Sequence, residues 1–262
     1  MPPRKSRPQL GQHFLRDKSV CIRIADAVVS SPDTPVIEIG PGQGALTEHL
    51  IARGVPLTAI EVDPALADGL KDRFATCDHF EVIHQDILKT DLSSVIAQYQ
   101  HNQVVIAGNL PYYITSPILR AVFAAAAHID YTVFLIQKEV ALRLTARKNS
   151  RDYGYLSVLC QLHAEPELLF TVPPGAFTPP PEVTSSVVRL KMRRDIDVPP
   201  SLIDFLQHCF THRRKKLLNN LAGLYPKEVL RQHPESDLRA QQLDLAELRA
   251  FWQTLDNAIE PG

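Results

Sequence analysis

An α/β fold is what this sequence predicts: a mostly parallel sheet clad in helices, followed by a small helical appendix. Two patterns carry that expectation. From Val36 to Met192 short apolar runs alternate with stretches of helical spacing, and beyond Arg194 helical spacing alone remains. Size agrees, because 262 residues can bury a full α/β core and still carry a second small domain.

In chain order, residues 18–29 are expected to be helical from the spacing of Val20, Ile24, Ala25 and Val28, and Ser30-Ser31-Pro32-Asp33 ends that helix. Residues 36–40 then read as a buried strand, 45–53 as a helix and 57–63 as a second strand. Residues 64–74 form a helix with Pro64 in its first turn, where the missing N–H costs nothing. Residues 80–85, 103–108 and 131–136 supply three more strands, with helices at 116–127, 138–147 and 154–163. Alternation of this length implies parallel strands covered on both faces. Two late strands, 168–172 and 185–192, flank a proline-rich loop and are expected to form an antiparallel edge, which brings the sheet to seven strands. The run Asp195-Ile196-Asp197-Val198-Pro199-Pro200 reads as a linker, so the expected domains are 1–194 and a helical 195–262. No internal repeat or low-complexity segment interrupts this order.

Composition narrows the function classes. With 45% hydrophobic and 22% charged residues the chain is ordinary for a soluble protein, and no apolar run reaches the length of a membrane span. Its basic start has no apolar segment behind it and is not a secretory signal. Cys21, Cys77, Cys160 and Cys209 include no C-x-x-C pair, which points to reduced thiols in a cytoplasmic protein and against a metal site. Net charge is −1, yet the basic residues cluster. Arg4, Lys5, Arg7, Arg16 and Lys18 crowd the start; Arg143, Arg147, Lys148 and Arg151 form a second group; Arg213, Arg214, Lys215 and Lys216 form a third. Taken singly, each group suits a solvated helix face. Three together favour an electrostatic footprint for nucleic acid.

The chemistry gathers at strand ends. Glu38-Ile39-Gly40-Pro41-Gly42-Gln43-Gly44 closes the first strand and opens a helix, and its glycines let a ligand lie against bare backbone. A nicotinamide fingerprint has G-x-G-x-x-G and receives a pyrophosphate. Here the spacing is G-x-G-x-G with an acid two residues earlier, which repels a pyrophosphate but suits the cationic amino-acid end of S-adenosylmethionine. Glu61 lies 21 positions after Gly40 and ends the second strand, where a carboxylate can accept from ribose hydroxyls; Asp63 is a neighbouring alternative. Asp86 ends the third strand and suits an adenine amine. Asn109-Leu110-Pro111-Tyr112 follows the fourth strand. The Asn oxygen and the Leu carbonyl can each accept one N–H of an exocyclic amine while the Tyr ring stacks on the base. Accepting both protons frees the nitrogen lone pair to attack an electrophile, which is the chemistry of amine methylation. A glycine turn, a capping acid or a proline turn without a ligand looks similar when taken alone. Four such features at the carboxyl ends of four successive strands do not.

With these motifs the chain resembles the ribosomal RNA adenine dimethyltransferase family, and within it the bacterial small-subunit branch. The matching segments are Gly11-Gln12-His13-Phe14-Leu15, residues 37–44, Ile60-Glu61-Val62-Asp63, Gln85-Asp86, residues 108–112, Gln137-Lys138-Glu139-Val140, Asp152-Tyr153-Gly154 and residues 176–183, with residues 210–217 resembling the family's Arg-Arg-Lys segment. The resemblance implies a class I, Rossmann-like methyltransferase fold with a helical C-terminal domain. It also implies transfer of four methyl groups from S-adenosylmethionine to N6 of two adjacent adenosines in the 3′-terminal hairpin loop of 16S rRNA, within the small (30S) ribosomal subunit or its precursor.

Carried over by residue match, His13, Leu15, Gly40, Gly42, Glu61, Asp86 and Asn109 are expected at the cofactor. Asn109, Leu110, Pro111 and Tyr112 are expected at the adenine, with Phe177 covering its other face; for Phe177 a buried place beside the proline turn is the competing expectation. His13 departs from the Asn of many members, and Tyr113 stands where some relatives have Asn. RNA is expected to meet Arg143, Arg147, Lys148, Arg213, Arg214 and Lys216, and the protein to act as a monomer without a membrane partner. The competing readings are a 23S rRNA adenine-N6 methyltransferase of the macrolide-resistance type, a non-catalytic assembly or transcription factor of the same fold, and a nicotinamide oxidoreductase.

Overall fold

Residues 13–99, 103–194 and 198–258 are described by a computed structural model of the chain. Arg4, Lys5 and Arg7 of the first basic group, the matched Gly11-Gln12 and linker residues 195–197 lie outside them. Strands run in the order β1 (Phe14–Leu15), β2 (Val36–Ile39), β3 (Leu57–Glu61), β4 (Phe80–His84), β5 (Val104–Asn109), β6 (Ile129–Gln137), β7 (Ala164–Val172), β8 (Phe177–Thr178) and β9 (Ser185–Met192). Helices α1 (Lys18–Val28), α2 (Ala45–Ile51), α3 (Pro64–Arg73), α4 (Leu92–Ile96), α5 (Thr115–Ala124), α6 (Lys138–Leu144) and α7 (Tyr155–His163) lie among them. After the last strand come α8 (Pro200–Cys209), α9 (Leu217–Leu221), α10 (Lys227–Leu230) and α11 (Leu245–Asn257).

Seven strands form one sheet in the order β4-β3-β2-β5-β6-β9-β7. The pairs β2/β3, β3/β4, β2/β5 and β5/β6 are parallel, and β9 runs antiparallel to β6. Every residue of β2 and β3 is buried, which explains why these strands read as unbroken apolar runs rather than alternating ones. The chain moves outward from β2 through β3 to β4 and then returns to lay β5 on the other side of β2. That reversal opens a crevice at the carboxyl ends of β2 and β5, the usual ligand position in such sheets.

Close approach of β2 and β5 depends on Gly108. A Cβ there would stand 2.5 Å from the Ile39 carbonyl oxygen. Asp17 caps α1 and Asp63 caps α3 by accepting backbone N–H bonds, so Asp63 is engaged as a helix cap beside Glu61.

Packing divides the chain into two units, 1–138 with 168–192 and 139–167 with 193–262. Residues 139–167, expected in the first domain, therefore belong with the helices. The cause is burial: Ala146, Tyr153, Val158 and Leu162 share an apolar cluster with Leu202, Phe205, Leu206 and Phe251, and the Tyr153 hydroxyl donates to the Leu243 carbonyl. Among the described residues no helix is long and apolar enough to cross a membrane.

Candidate active site

A cleft of about 1130 Å³, its open mouth included, lies over the crevice between β2 and β5. It brings together His13, Leu15, Gly40, Gly42, Glu61, Asp86, Asn109, Leu110, Pro111 and Tyr112 from the sequence expectation. Its charged lining residues are acids, Glu38, Glu61 and Asp86; among the described residues no Lys or Arg lines it. Such a wall disfavours a pyrophosphate and suits a cation, hydroxyls and amines.

The glycine loop leaves β2 with Gly40 and Gly42 in the left-handed region, at φ +66° and +57°. Space over Gly40 is open, with nothing within 4 Å of a built Cβ, while a Cβ on Gly42 would press on the Phe14 ring at 3.1 Å. Glu61 holds this loop. Its Oε2 accepts from the Gly42 N–H at 3.0 Å and its Oε1 from the Val62 and Asp63 N–H groups at 2.9 and 3.0 Å. A carboxylate has about four acceptor positions, so a ligand hydroxyl finds one open and shares the others. Asp86 Oδ1 caps the turn after β4 by accepting from Leu88 N at 3.0 Å.

Glu38 is 1% exposed and accepts from Thr47 Oγ1 at 2.7 Å. Burial pushes its carboxyl up to about 7; the Thr47 hydrogen bond opposes that rise, and the charge of Glu61 adds to it.

At the end of β5, Asn109 Nδ2 donates to the His13 carbonyl at 3.0 Å. A carbonyl only accepts, so this contact orients the carboxamide and leaves Oδ1 as its acceptor. The Leu110 side chain is buried and its N–H donates to Leu135 O at 3.0 Å, so what it can offer a ligand is backbone. Pro111 O accepts from Thr115 Oγ1 at 3.1 Å and from Ile114 N at 3.2 Å, which pins the Tyr112–Ile114 turn. The Tyr112 hydroxyl lies 2.6 Å from the buried Ser185 Oγ on β9, and its ring stands 5.8 Å from the His13 ring.

Phe177 stands apart. It is 3% exposed, pairs with Leu15 between β8 and β1, sits in the apolar core cluster and is not among the cleft-lining residues. Covering the second face of a base is therefore not available to this ring where it lies; the competing expectation of a buried residue describes it. The β1–β8 ribbon itself is held by the His13 ring Nδ1 donating to Pro179 O at 2.9 Å and by Arg16 N donating to Ala176 O at 2.8 Å.

Ser185 and Phe14 are the contributors that sequence reasoning missed. Ser185 carries no local signal, because its contact with Tyr112 exists only through the placement of β9 against β6. Phe14 belongs to the matched segment around His13 and Leu15, and that match is the signal that could have found it.

The six expected RNA contacts all fall in the second unit. Arg143 pairs with Glu139, and Lys148 Nζ bridges Asp244 and Glu247 at 2.9 and 2.8 Å. Lys216 pairs with Asp237 at 2.8 Å. Arg213 Nη2 donates to the carbonyls of Arg151 and Tyr153 at 2.6 and 3.0 Å, so it braces the loop before α7. The Arg147 and Arg214 side chains are exposed and make no hydrogen bond or ion pair among the described residues.

The model of the family described as ribosomal RNA adenine dimethylase matches residues 4–255. A curated protein of Acidobacterium capsulatum, ribosomal RNA small subunit methyltransferase A, is 43% identical over 97% of this chain and 92% of its own length. The protein of the same name from Koribacter versatilis is 39% identical over 95% and 94%. Among solved structures, the 23S rRNA methyltransferase ErmE superposes with a TM-score of 0.67 at 27% identity, covering 93% of this chain and 99% of its own. A dimethyladenosine transferase from Plasmodium falciparum gives 0.74 at 23% identity over 93% and 96%, a likeness of fold.

Proposed function

We propose that this chain, which belongs to the ribosomal RNA adenine dimethylase family, dimethylates N6 of two adjacent adenosines in the 3′-terminal hairpin loop of 16S rRNA, in the cytoplasm and with S-adenosylmethionine as methyl donor. One observation carries the reading. An acid-lined glycine-loop cleft and an oriented carboxamide acceptor, Asn109, share a single cavity at the reversal of the sheet.

The cleft fits the donor. Glu38 matches a cationic ammonium, bare backbone at Gly40 gives close approach, and Glu61 and Asp86 offer acceptors to hydroxyls and an amine. S-adenosylmethionine, when bound, supplies a methyl group already activated on a sulfonium. This chain's residues then have to position rather than to activate. Asn109 Oδ1 and the Leu110 carbonyl accept the two N–H groups of adenine N6, which takes the nitrogen lone pair out of conjugation with the ring and aims it at the methyl group. Tyr112, fixed by Ser185, stacks on the base. After the first transfer the amine has one N–H left, so the second transfer leans more on stacking and shape. The methylated nitrogen is cationic as it forms and releases its proton to water, so no dedicated general base is needed.

Identity supports the small-subunit substrate over the large-subunit one, at 43% and 39% against 27%. The acidic cleft speaks against a nicotinamide nucleotide. Small subunits from an unmethylated strain, incubated with the protein and labelled S-adenosylmethionine, are expected to yield N6,N6-dimethyladenosine in 16S rRNA by nucleoside mass spectrometry. Label in 23S rRNA instead moves the chain to the large-subunit reaction, and no label at all leaves a non-catalytic assembly role.

A further inference from the structure

We propose that Tyr113 stacks on the nucleotide next to the adenine held in the cleft and so selects the base that may flank the target. The inference rests on the reading of the cleft as an adenine-amine site. Tyr113 is 60% exposed, more than any other large hydrophobic side chain among the described residues, yet it lines the same cleft as Asn109. A single exposed Tyr is unremarkable; its setting is what makes it informative.

Three features define that setting. The first is rigidity: Tyr112 and Tyr113 share one tight turn, anchored by the bonds of Ile114 N and Thr115 Oγ1 to Pro111 O, so the ring is presented from a fixed backbone. Second, the two rings divide the work. Tyr112 turns its hydroxyl to the buried Ser185, whereas Tyr113 is left at the open side. Consecutive aromatics split between interior and mouth match consecutive bases, one extruded and one left behind. Extruding a base costs a few kcal/mol and strips its neighbour of a stacking partner, and an exposed ring replaces that partner. Third, the cleft's charges are acidic, with no Lys or Arg lining it among the described residues. Contacts to bases, rather than to phosphates, are what the described lining offers a strand at this mouth.

The test uses the full chain, small subunits as substrate, and the variants Tyr113→Phe and Tyr113→Ala. Tyr113→Phe keeps the ring and is expected to retain the wild-type KM for subunits within about twofold. Tyr113→Ala is expected to raise that KM roughly tenfold or more, the scale of one lost base stack, with S-adenosylmethionine affinity by calorimetry unchanged. A second arm uses subunits in which uridine replaces one adenosine of the pair. Wild type is expected to lose efficiency on the remaining adenosine, and Tyr113→Ala to lose nothing further. An unchanged KM for Tyr113→Ala, a matching loss of cofactor affinity, or a uridine penalty of equal size in both proteins overturns the inference. Wild type that methylates neither adenosine overturns the underlying reading instead, which keeps the two failures distinct.

Discussion

At the residue scale, the Asn109 side chain has two ends with different duties. Nδ2 is committed to the His13 carbonyl, which leaves Oδ1 as the acceptor that the proposed reaction requires. Asn109→Ala removes both and is expected to lower kcat by about 10²–10³, the usual loss for one positioned polar group, with unfolding midpoints near wild type. Asn109→Asp keeps the acceptor but sets a carboxylate against a carbonyl oxygen, so it is expected to be as inactive as Ala. An active Asp variant in a methyl-transfer assay shows that the His13 contact is dispensable. Glu38 makes a second, opposite kind of prediction. Its carboxyl titrates at about 7 in the folded chain against 4.5 for an ordinary glutamate, because burial disfavours the charge. Below pH 4.5 both states hold the proton and stability is full. Between 4.5 and 7 the unfolded chain releases it while the folded chain keeps it, so stability falls as pH rises. A rise of that size corresponds to about 3 kcal/mol. Glu38→Gln, which keeps the acceptor for Thr47, is therefore expected to match wild type near pH 4.5 and to exceed it above pH 7 in urea unfolding. The same variant lacks the negative charge and is expected to bind S-adenosylmethionine more weakly.

At the scale of elements, the site depends on how closely two strands approach. Gly108→Ala places a Cβ 2.5 Å from Ile39 O, a backbone atom that cannot swing aside. The variant is expected to lose ~1–3 kcal/mol, as overpacked cores do, and to lose activity beyond that because Asn109 is the next residue and ends β5. A thermal midpoint equal to wild type removes this account. The elements that carry the glycine loop, Glu61, Asp86 and Asn109 were legible in sequence to within about two residues, because a buried parallel strand is an apolar run and each run ended in turn residues. Two kinds of element were not. The β1–β8 ribbon is two residues long on each side, with partners more than a hundred and fifty positions apart, so neither half has a period to read. Helix α4 is a five-residue turn capped by Asp91 and lies below the length at which periodicity speaks. The burial of Phe177 follows from that unseen ribbon, and so the one stacking ring expected from the proline loop is found in the core.

Over the whole molecule, the division into units follows packing rather than chain order. By sequence, helix α7 continues the alternating pattern, but its Val158 and Leu162 find their partners on α8 and α11. Sequence shows that a helix has an apolar face; it does not show which helix covers it. The same limit applies to the basic clusters, which looked alike as charge runs and differ in commitment. Lys148 and Lys216 are already bound to carboxylates, and the hydrogen bonds to Asp244 and Glu247 hold the Lys148 ammonium above its ordinary range. The Arg147 and Arg214 side chains are exposed and make no hydrogen bond or ion pair among the described residues. An RNA phosphate has to outcompete an existing carboxylate at the first pair and only water at the second. Each phosphate contact contributes about one to the slope of log affinity against log salt. The double variant Arg147→Ala/Arg214→Ala is therefore expected to bind small subunits more weakly and to lose about two from that slope, measured by filter binding across a potassium chloride series. Lys148→Ala/Lys216→Ala is expected to keep the wild-type slope while lowering the unfolding midpoint slightly, since it releases Asp237, Asp244 and Glu247. Equal slope changes in the two double variants mean that the carboxylates let go on binding, and that charge density rather than availability sets the footprint.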